Sequence, residues 1–569
     1  MKFYYSLDFS KKEQKYVFVD MKILLEDFKR DNLELILPVW SPGSYLVREY
    51  ARHLDCFSSD CKVEKITKNK WVFDINNKKE INLSYRLYCN ELTVRTNYID
   101  DIHVILCGPA TFLVPENKKD SNYFEVKINL PSDWSKISTG LKKLDNNIFY
   151  HEDLDDFLDC PIEAGEYPVF EFESFGKKHE IAMIGPKVYN EEKLVSDIKR
   201  AVEATATIFK DIPYDDYTFI THLTNDVQGG LEHKNSTVLH FKKWDFQDPE
   251  KYKKDWLSLV SHEYFHLWNI KRLKPIELVD FDYNNENYTS LLWFAEGFTS
   301  YYDDLVLRRA NIYNDNEYLD VLASVVEKLV KVPGRFYQSL EDSSFDAWTK
   351  FYRKHENSSN QQISYYVKGA QFALCLDFEI RKRTNNKNNL DDLMRKLWSE
   401  HIKDPNFGYT KEIILDLLNE IAGDFSEMFN EFLLKPEEID YNKYLNYVGL
   451  KLKIVDLGRP TLDMDLKEDK GVLLCLGLKD KGAAYEAGIM VGDEILALNG
   501  YRVNHLNLVK RLKYMKSGEK VKLLISRDER ILEKELTIST SKYDQIKIEK
   551  IENPSNEQKE NYNNWLNTF

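Results

Sequence analysis

Residues 255–273 read DWLSLVSHEYFHLWNIKRL. Apolar side chains recur at helical spacing through this stretch, which therefore predicts an α-helix. Within it, His262 and His266 are four residues apart and so lie on one face of the helix, one turn from each other. Two imidazoles at this spacing can bind one metal ion, and Glu263 between them can accept a proton from a metal-bound water. The alternative is a helix that carries two satisfied core histidines.

A third candidate ligand lies downstream. Catalytic zinc sites usually have three protein ligands and leave the fourth position to water. The stretch LLWFAEGFTSYYDD, residues 291–304, predicts an apolar helix with Glu296 embedded among aromatic residues. A carboxylate there is costly unless it is paired or binds a metal. We therefore predict one Zn²⁺ per chain with Glu296 as its third ligand, and a core salt bridge is the alternative.

Asp303 falls on the same helix face as Glu296, two turns further on. It could accept the second ring N–H of His262 or His266 and so fix the tautomer of that ligand. A solvated acid is the plainer interpretation. No closely spaced cysteine pair lies near the motif, which excludes a cysteine-based structural zinc site.

Composition limits the class of protein. The chain has 569 residues, of which 43% are hydrophobic and 30% charged, as expected of a globular multidomain protein. Its net charge of −15 argues against a nucleic-acid partner, and no apolar run is long enough to cross a membrane. The polar N-terminus lacks a secretory signal. Seven scattered cysteines predict buried free thiols in a reducing compartment, so we expect a cytoplasmic protein.

The chain divides into regions of different periodicity, which together predict an α+β multidomain fold. Short, turn-bounded apolar runs over residues 1–160 predict an N-terminal β-sandwich-like domain. Helical spacing then dominates a mixed and helical catalytic domain over residues 161–445. Glycine-bounded strands return over residues 446–541, and residues 542–569 form a polar C-terminal tail in which Trp565 could dock.

Five stretches resemble a known family in the expected order. HEYFHLWNIKRLKP (262–275) together with WFAEG (293–297) closely resembles the glycyl aminopeptidase family, metallopeptidase family sixty-one, a PDZ-containing branch of the gluzincins. PVWSPGSYLVREYARHL (38–54) resembles its N-terminal signature, GGLEHKNS (229–236) its substrate-binding strand, and SYYVKGAQFAL (364–374) its tyrosine motif. The resemblance implies a thermolysin-like zinc peptidase that removes N-terminal residues, with a glycine or alanine preference, from peptide substrates.

The resemblance also implies how a peptide is bound. Glycines without side chains, here Gly229 and Gly230, let a substrate backbone approach closely. Glu232 corresponds to the acid that holds the free α-amine in the related neutral zinc aminopeptidases. Leu231 and His233 depart from the Met and Asn of that pattern, which weakens the exopeptidase prediction. A surface turn carrying an acid is the alternative.

Tyr366 corresponds to a tyrosine that stabilises the oxyanion in the same relatives, a task suited to an uncharged donor. The neighbouring Tyr365 could be mistaken for it, and a core tyrosine is the plain alternative.

Residues 446–541 resemble a PDZ domain, most clearly in AAYEAGIMVGDEILALNGYRV (483–503). PDZ domains bind a C-terminal peptide by strand addition. The preceding loop LKEDKG (466–471) lacks a carboxylate cradle and is acidic, so a degenerate packing module is the alternative. Two rival functions follow: a gluzincin endopeptidase that uses the PDZ-like domain to capture longer chains, and an inactive peptidase-fold binding protein.

Overall fold

Strands dominate the N-terminal part of the chain. The computed structural model describes residues 1–26 and 28–567. Strand Lys2–Lys11 alternates buried and partly exposed side chains, as its sequence requires. It pairs antiparallel with Tyr16–Leu24 and parallel with Phe124–Asn129 in the middle of a seven-stranded sheet. Two four-stranded sheets accompany it and contribute to the same hydrophobic core. The prediction of a β-rich N-terminal region is confirmed.

The strands of this region are Lys2–Lys11, Tyr16–Leu24, Asn32–Ile36, Leu54–Ser59, Val63–Lys65, Lys70–Asp74, Glu80–Tyr88, Tyr98–Ile99, His103–Leu106, Val114–Pro115, Phe124–Asn129, Lys136–Thr139, Lys142–Asp145, Ile148–His151 and Ile162–Gly165. Its helices are short: Lys12–Gln14, Tyr50–His53, Gly108–Thr111, Lys118–Asp120 and Leu154–Asp159.

The loop that follows Asn32–Ile36 joins this region to the rest of the molecule. Trp40 is fully buried, donates from Nε1 to the carbonyl of Asp282 at 2.8 Å, and packs edge-on against Trp348. Tyr45 packs against Trp348 as well. Both side chains belong to the core of the helical region, so this loop is held close to the site described below.

A five-stranded sheet comes next. Its order is Val169–Ser174, Lys177–Ile184, Asp216–Thr224, Ser236–Lys242 and Gly229–Glu232. The three central strands are parallel, whereas Gly229–Glu232 runs antiparallel at one edge. Helix Glu191–Phe209, capped by Asn190, packs near this sheet through a strongly amphipathic face.

Helices form most of the region from residue 249 to residue 448. Helix Ser258–Phe265 contains His262 and is capped at its C-terminus by His266, and the π-helical turn Tyr252–Leu257 precedes it. The remaining α-helices are Pro249–Lys251, Thr299–Arg309, Asp315–Val330, Leu340–Phe345, Ser358–Gln361, Tyr365–Thr384, Leu390–Lys403, Lys411–Ala422, Ser426–Phe429 and Tyr441–Leu445. Further π-helical turns are Trp293–Phe298, Ala347–Phe351 and Asn430–Leu434, the 3-10 turns are Asp245–Gln247, Ile276–Leu278, Pro333–Phe336 and Asn446–Val448, and Lys274–Pro275 pairs with Gly408–Tyr409.

The C-terminal part has a sheet with a core of its own. Its strands are Met464–Asp469, Val472–Leu478, Glu494–Leu498, Tyr501–Arg502, Lys520–Arg527 and Arg530–Thr537, and its helices are Ala483–Glu486 and His505–Leu512. Two further antiparallel strand pairs come from the segments just before and just after this sheet in the sequence. Leu450–Val455 pairs with Gln545–Lys550, and Pro460–Thr461 pairs with Ser539–Thr540.

Both ends of this C-terminal part pack against the helical region. Leu450 and Ile548, on the outer ladder, lie in the core of the helical region rather than in that of the C-terminal sheet. The tail forms helix Asn556–Leu566, and Trp565 is completely buried in the same helical core. This packing results from the pairing of two strands that are distant in sequence, which no local sequence pattern predicts.

All seven cysteines are free; five are buried, Cys61 is half-buried and Cys56 is exposed. Within the described residues, no helix combines the length and the hydropathy that a membrane crossing would need.

Candidate metal centre

His262, in the last turn of helix Ser258–Phe265, faces His266, the residue that caps the C-terminus of this helix, with 3.0 Å between their Nε2 atoms. The other nitrogen of each ring has an acceptor. His262 Nδ1 donates to Asp303 Oδ2 at 3.0 Å, and His266 Nδ1 donates to the backbone carbonyl of Asn269 at 2.6 Å. Because a carboxylate and a carbonyl only accept, both protons sit on Nδ1 and both Nε2 lone pairs point into one space.

Glu296 reaches the same space from the π-helical turn Trp293–Phe298. Its Oε2 lies 3.0 Å from His266 Nε2 and 3.5 Å from His262 Nε2. Glu296 is almost completely buried, and in the described part of the chain no hydrogen-bond donor is aligned on Oε2. Burial opposes ionisation, yet when no metal is bound and the adjacent imidazoles are protonated, their positive charges hold the pKa of Glu296 down at about 2. A bound cation would favour the charged carboxylate in the same way.

These three side chains form a donor set suited to a divalent cation. One ligand atom from each of His262, His266 and Glu296 lies within 4.8 Å of the other two. Three lone-pair atoms held together in a buried site are costly unless a positive charge joins them. Two nitrogens and one oxygen match the protein donors of catalytic zinc sites. The residues therefore fit the metal predicted from the sequence.

Asn269 organises this arrangement, and the sequence analysis missed it. Its carbonyl accepts from His266, while its side-chain amide donates to the carbonyls of Phe294 and Ala295, each at 3.1 Å. The helix predicted over 255–273 ends as α-helix at Phe265, and turns follow. This early end is what lets the Asn269 carbonyl point back at a ligand ring.

Glu263 lies beside the candidate ligands and is 5% exposed. Among described residues, its Oε2 atom has no hydrogen-bond partner. Burial, reinforced by the charges of Glu232 and Glu296 and opposed by His262, raises the pKa of Glu263 to about 7. A carboxyl group with that pKa can take up and release a proton near neutral pH.

The edge strand Gly229–Glu232 passes beside Glu263 and the candidate ligands, and the region between them is called the cleft below. A Cβ on Gly230 would lie 2.1 Å from Glu263 Oε1, so the strand passes in contact with that carboxylate. Glu232 is 3% exposed, and its Oε1 has no partner in the described part of the molecule. Leu231 is buried in a small core against the N-terminal region, and the His233 ring donates to Asp159 at 3.2 Å.

Gly43, in the loop that carries Trp40, closes the far side of Glu232. A Cβ there would lie 2.3 Å from Glu232 Oε1, and the φ of +91° favours glycine independently. Tyr352 donates to the Gly43 carbonyl at 3.5 Å. The SPGS turn within residues 38–54 was the available sequence signal for this contact, although it does not identify Glu232 as the partner.

Tyr366 lies in the first turn of helix Tyr365–Thr384, which Ser364 caps. Its ring centroid is 6.1 Å from that of His262. Helices approach closely here because Gly297 and Gly369 have no side chains; a Cβ on Gly297 would lie 2.5 Å from the Gly369 Cα. The structure thus brings Tyr366 to the candidate ligands. Tyr365 is fully buried and stacks on Tyr366.

A second histidine–carboxylate group is more self-contained. Glu163 accepts from His103 Nδ1 at 2.8 Å and from His222 Nε2 at 2.9 Å. Each carboxylate oxygen therefore already has a donor, unlike Glu296 Oε2. This group joins the N-terminal region to the five-stranded sheet.

Known protein families match both regions that form the cleft. A family model described as M61 glycyl aminopeptidase matches residues 255–372, and one described as the peptidase M61 N-terminal domain matches residues 4–166. The chain belongs to the M61 glycyl aminopeptidase family. The family resemblance predicted from the sequence is confirmed, and the chain is a peptidase by membership.

Solved structures extend this comparison. The M61 chain is 28% identical to an aminopeptidase N family protein from Idiomarina loihiensis, with 99% of this chain and 100% of that chain covered and a TM-score of 0.91. An M1 zinc metallopeptidase from Deinococcus radiodurans is 11% identical to this chain, with 74% of this chain and 90% of that chain covered. Native yeast LTA4 hydrolase is 13% identical, with 79% of this chain and 70% of that chain covered. Both structures have a TM-score of 0.45, and no argument is based on them. No curated protein matches the sequence significantly.

Proposed function

We propose that this M61 peptidase is a zinc-dependent aminopeptidase that removes N-terminal glycine- or alanine-type residues from peptides. One Zn²⁺ would be held by His262, His266 and Glu296. The observation that carries the proposal is the buried convergence of their three ligand atoms, within 4.8 Å of one another, with both remaining ring nitrogens already donating elsewhere. Such a set has no evident structural use without a cation.

The proposed chemistry is hydrolysis of an amide bond. Zinc, when bound, would polarise the scissile carbonyl and lower the pKa of a water molecule. Glu263 takes the proton from the attacking water and delivers it to the leaving amine, a double role suited to a pKa of about 7. Tyr366 donates its hydroxyl proton in a hydrogen bond to the developing oxyanion. Gly230 leaves space for the peptide backbone beside Glu263.

The exopeptidase part of the proposal rests on Glu232. Its buried carboxylate has an oxygen without a partner in the described residues, and this oxygen is backed by Gly43. A substrate α-ammonium would supply the missing positive charge and hydrogen bonds. An endopeptidase acting on longer chains would gain nothing from this group, because its substrates carry an amide at that position.

A panel of peptides with free and N-acetylated termini tests these points together. We expect the zinc-loaded enzyme to hydrolyse the free series much faster than the acetylated series, chelation to abolish turnover, and Glu263→Gln to retain zinc but lose about 10²–10⁴-fold in kcat. Glu232→Gln should reduce turnover of free peptides far more than of acetylated ones.

Other outcomes would favour the rival functions. Equal losses on both series would favour a gluzincin endopeptidase, and absence of hydrolysis across a zinc-replete panel would favour an inactive binding protein. Wild-type turnover in Glu263→Gln would contradict the general-base role.

We further propose a β-sandwich-like N-terminal domain over residues 1–160, a thermolysin-like peptidase domain over 161–445 and a PDZ-like module within 446–541, followed by the tail 542–569. The hairpin turn of the module consists of Lys470 and Gly471, both with positive φ, and it follows a strand that ends in the acidic residues Glu468 and Asp469. So tight a turn offers no loop of amides for a C-terminal carboxylate, which favours a packing role over capture of a C-terminal peptide. The free cysteines support a reducing, cytoplasmic location.

A further inference from the structure

Two neighbouring arginines from the N-terminal region lack acidic partners among the described residues, and one of them, Arg95, contacts the substrate strand. Arg95 donates from Nη2 to the carbonyl of Gly230 at 3.4 Å, and Arg48 donates from Nη2 to Ser44 Oγ at 2.8 Å. Neither guanidinium forms an ion pair with a carboxylate in residues 1–26 and 28–567, and the Nε of each is buried without an acceptor. Each guanidinium has five N–H donors, and most of them have no acceptor among the described residues.

This lack of partners is unusual because the chain is rich in acids, with 94 Asp and Glu against 79 Lys and Arg. The two positive charges also act on each other. Burial lowers the pKa of the Arg48 guanidinium, and the positive charge of Arg95 lowers it further, against the opposing effect of Tyr50. Half-buried like charges without counterions are destabilising unless an anion binds between them. Both side chains are half-buried, so a ligand can reach them.

The position of the pair relative to the cleft defines what that anion would be. Gly230 touches the Glu263 carboxylate, so the strand at Gly230 lies beside the bond that Glu263 would act on. Glu232, the proposed amine site, lies two residues further along the same strand. A group next to Arg95 therefore belongs to the part of the substrate beyond the scissile bond. An extended peptide advances about 3.3–3.6 Å per residue, so the first one or two leaving residues would reach it.

We propose that Arg95, together with Arg48, binds a carboxylate in the leaving portion of the substrate. The carboxylate is either the C-terminus of a short peptide or an acidic side chain. A guanidinium is suited to this task because it can donate two parallel hydrogen bonds to one carboxylate. The inference deepens the proposed function, on which it rests for the position of the scissile bond, and it makes the enzyme selective for short or acidic peptides.

Three dipeptides separate the sources of the charge: alanyl-alanine, alanyl-alanine amide and alanyl-aspartate amide. We expect kcat/KM for alanyl-alanine to exceed that for its amide by about 10- to 100-fold, as loss of a charged hydrogen-bonded contact implies. Recovery of the lost rate with alanyl-aspartate amide identifies the acidic side chain as a sufficient source, and no recovery identifies the C-terminal carboxylate. Either result supports the proposal.

Substitutions test the residues. Arg95→Gln and Arg48→Gln should remove the preference for the free carboxylate, lowering kcat/KM for alanyl-alanine, mainly through KM, much more than for its amide. Arg95→Lys should restore part of it, since the charge returns without the fork geometry. Arg86→Gln, which removes an arginine paired with Asp55 elsewhere in the N-terminal region, is the matched control. Equal rates for all three dipeptides, or a preference that survives both substitutions, would overturn the proposal.

Binding to the zinc-loaded Glu263→Gln variant, measured by calorimetry, separates this proposal from the proposed function. Tighter binding of alanyl-alanine than of its amide, abolished by Arg95→Gln, would support the carboxylate site even if the wild type hydrolysed nothing. Equal binding of both would reject the site even if the enzyme were an active aminopeptidase.

Discussion

Gly230 lies against the carboxylate of Glu263 so closely that a Cβ at position 230 would be 2.1 Å from Oε1. Gly230→Ala must therefore displace Glu263 or the strand. We expect kcat to fall by about 100-fold, since a 1 Å displacement of a catalytic group has that cost. Steady-state kinetics with metal analysis would check it. Gly477→Ala, on the C-terminal sheet, is the control, because its Cβ would meet only the Asp465 side chain. Unchanged kcat in Gly230→Ala would contradict this packing.

Asp303 holds the ring of His262 through Nδ1. Asp303→Asn leaves the shape but weakens that acceptor, so we expect zinc affinity to fall by about 10- to 100-fold. Competition with a chelator of known affinity measures this. Asp320→Asn is the control: Asp320 is an exposed acid that lines a surface cavity together with Asp303, and its substitution should leave the affinity unchanged. Equal affinity in the two variants would show that Asp303 does not position the ligand.

Trp565 is completely buried and packs against Tyr318, Phe378 and Tyr562. Trp565→Ala should lower the free energy of unfolding by about 3–5 kcal/mol, from lost burial and the cavity left behind. Urea denaturation compared with Trp244→Ala, whose side chain is 62% exposed, gives the measurement. Similar small effects from both would mean that the tail helix does not stabilise the fold.

Glu163 is fully buried and accepts from two imidazoles. Glu163→Gln removes the negative charge between the two imidazoles. It also places the amide NH₂ group, which is a donor, against one ring nitrogen that now donates to a carboxylate oxygen. We expect a loss of about 3–5 kcal/mol, as for breaking a buried ion pair. Glu166→Gln, an exposed residue bonded to Ser135, should change stability by less than about 0.5 kcal/mol. Thermal or urea unfolding compares them, and equal stability would mean that the network is not ionised.

The sequence could predict the chemistry-bearing side chains better than their surroundings. The spacing of His262 and His266 follows from helical periodicity, and Glu296 is conspicuous as an acid in an apolar run. Their convergence agrees with the predicted ligand set, whose metal-binding role stays a prediction. The π-helical turn around Glu296 carries no comparable signal, because it depends on Asn269 bonding to the carbonyls of Phe294 and Ala295.

Contacts between distant segments were beyond local patterns. Gly43 and Glu232 are far apart in sequence, and only the folded chain reveals that they touch. The same holds for Arg95 and Gly230. The outer strand Leu450–Val455 has an ordinary alternating sequence, so its pairing with Gln545–Lys550 was not predictable. Side chains that only support a site follow from tertiary packing, and a single sequence does not record it.

The ladder between Leu450–Val455 and Gln545–Lys550 has an architectural consequence. Val455 and Gln545 are opposite each other, so the chain leaves the helical region and re-enters it at one point. The C-terminal sheet is thus an insertion at the tip of a β-hairpin. Deleting it and joining the two ends by a two-residue turn would leave every strand partner of the peptidase in register. An insertion at this position allows the C-terminal sheet to be gained, lost or exchanged without a change in the strand pairing of the peptidase region.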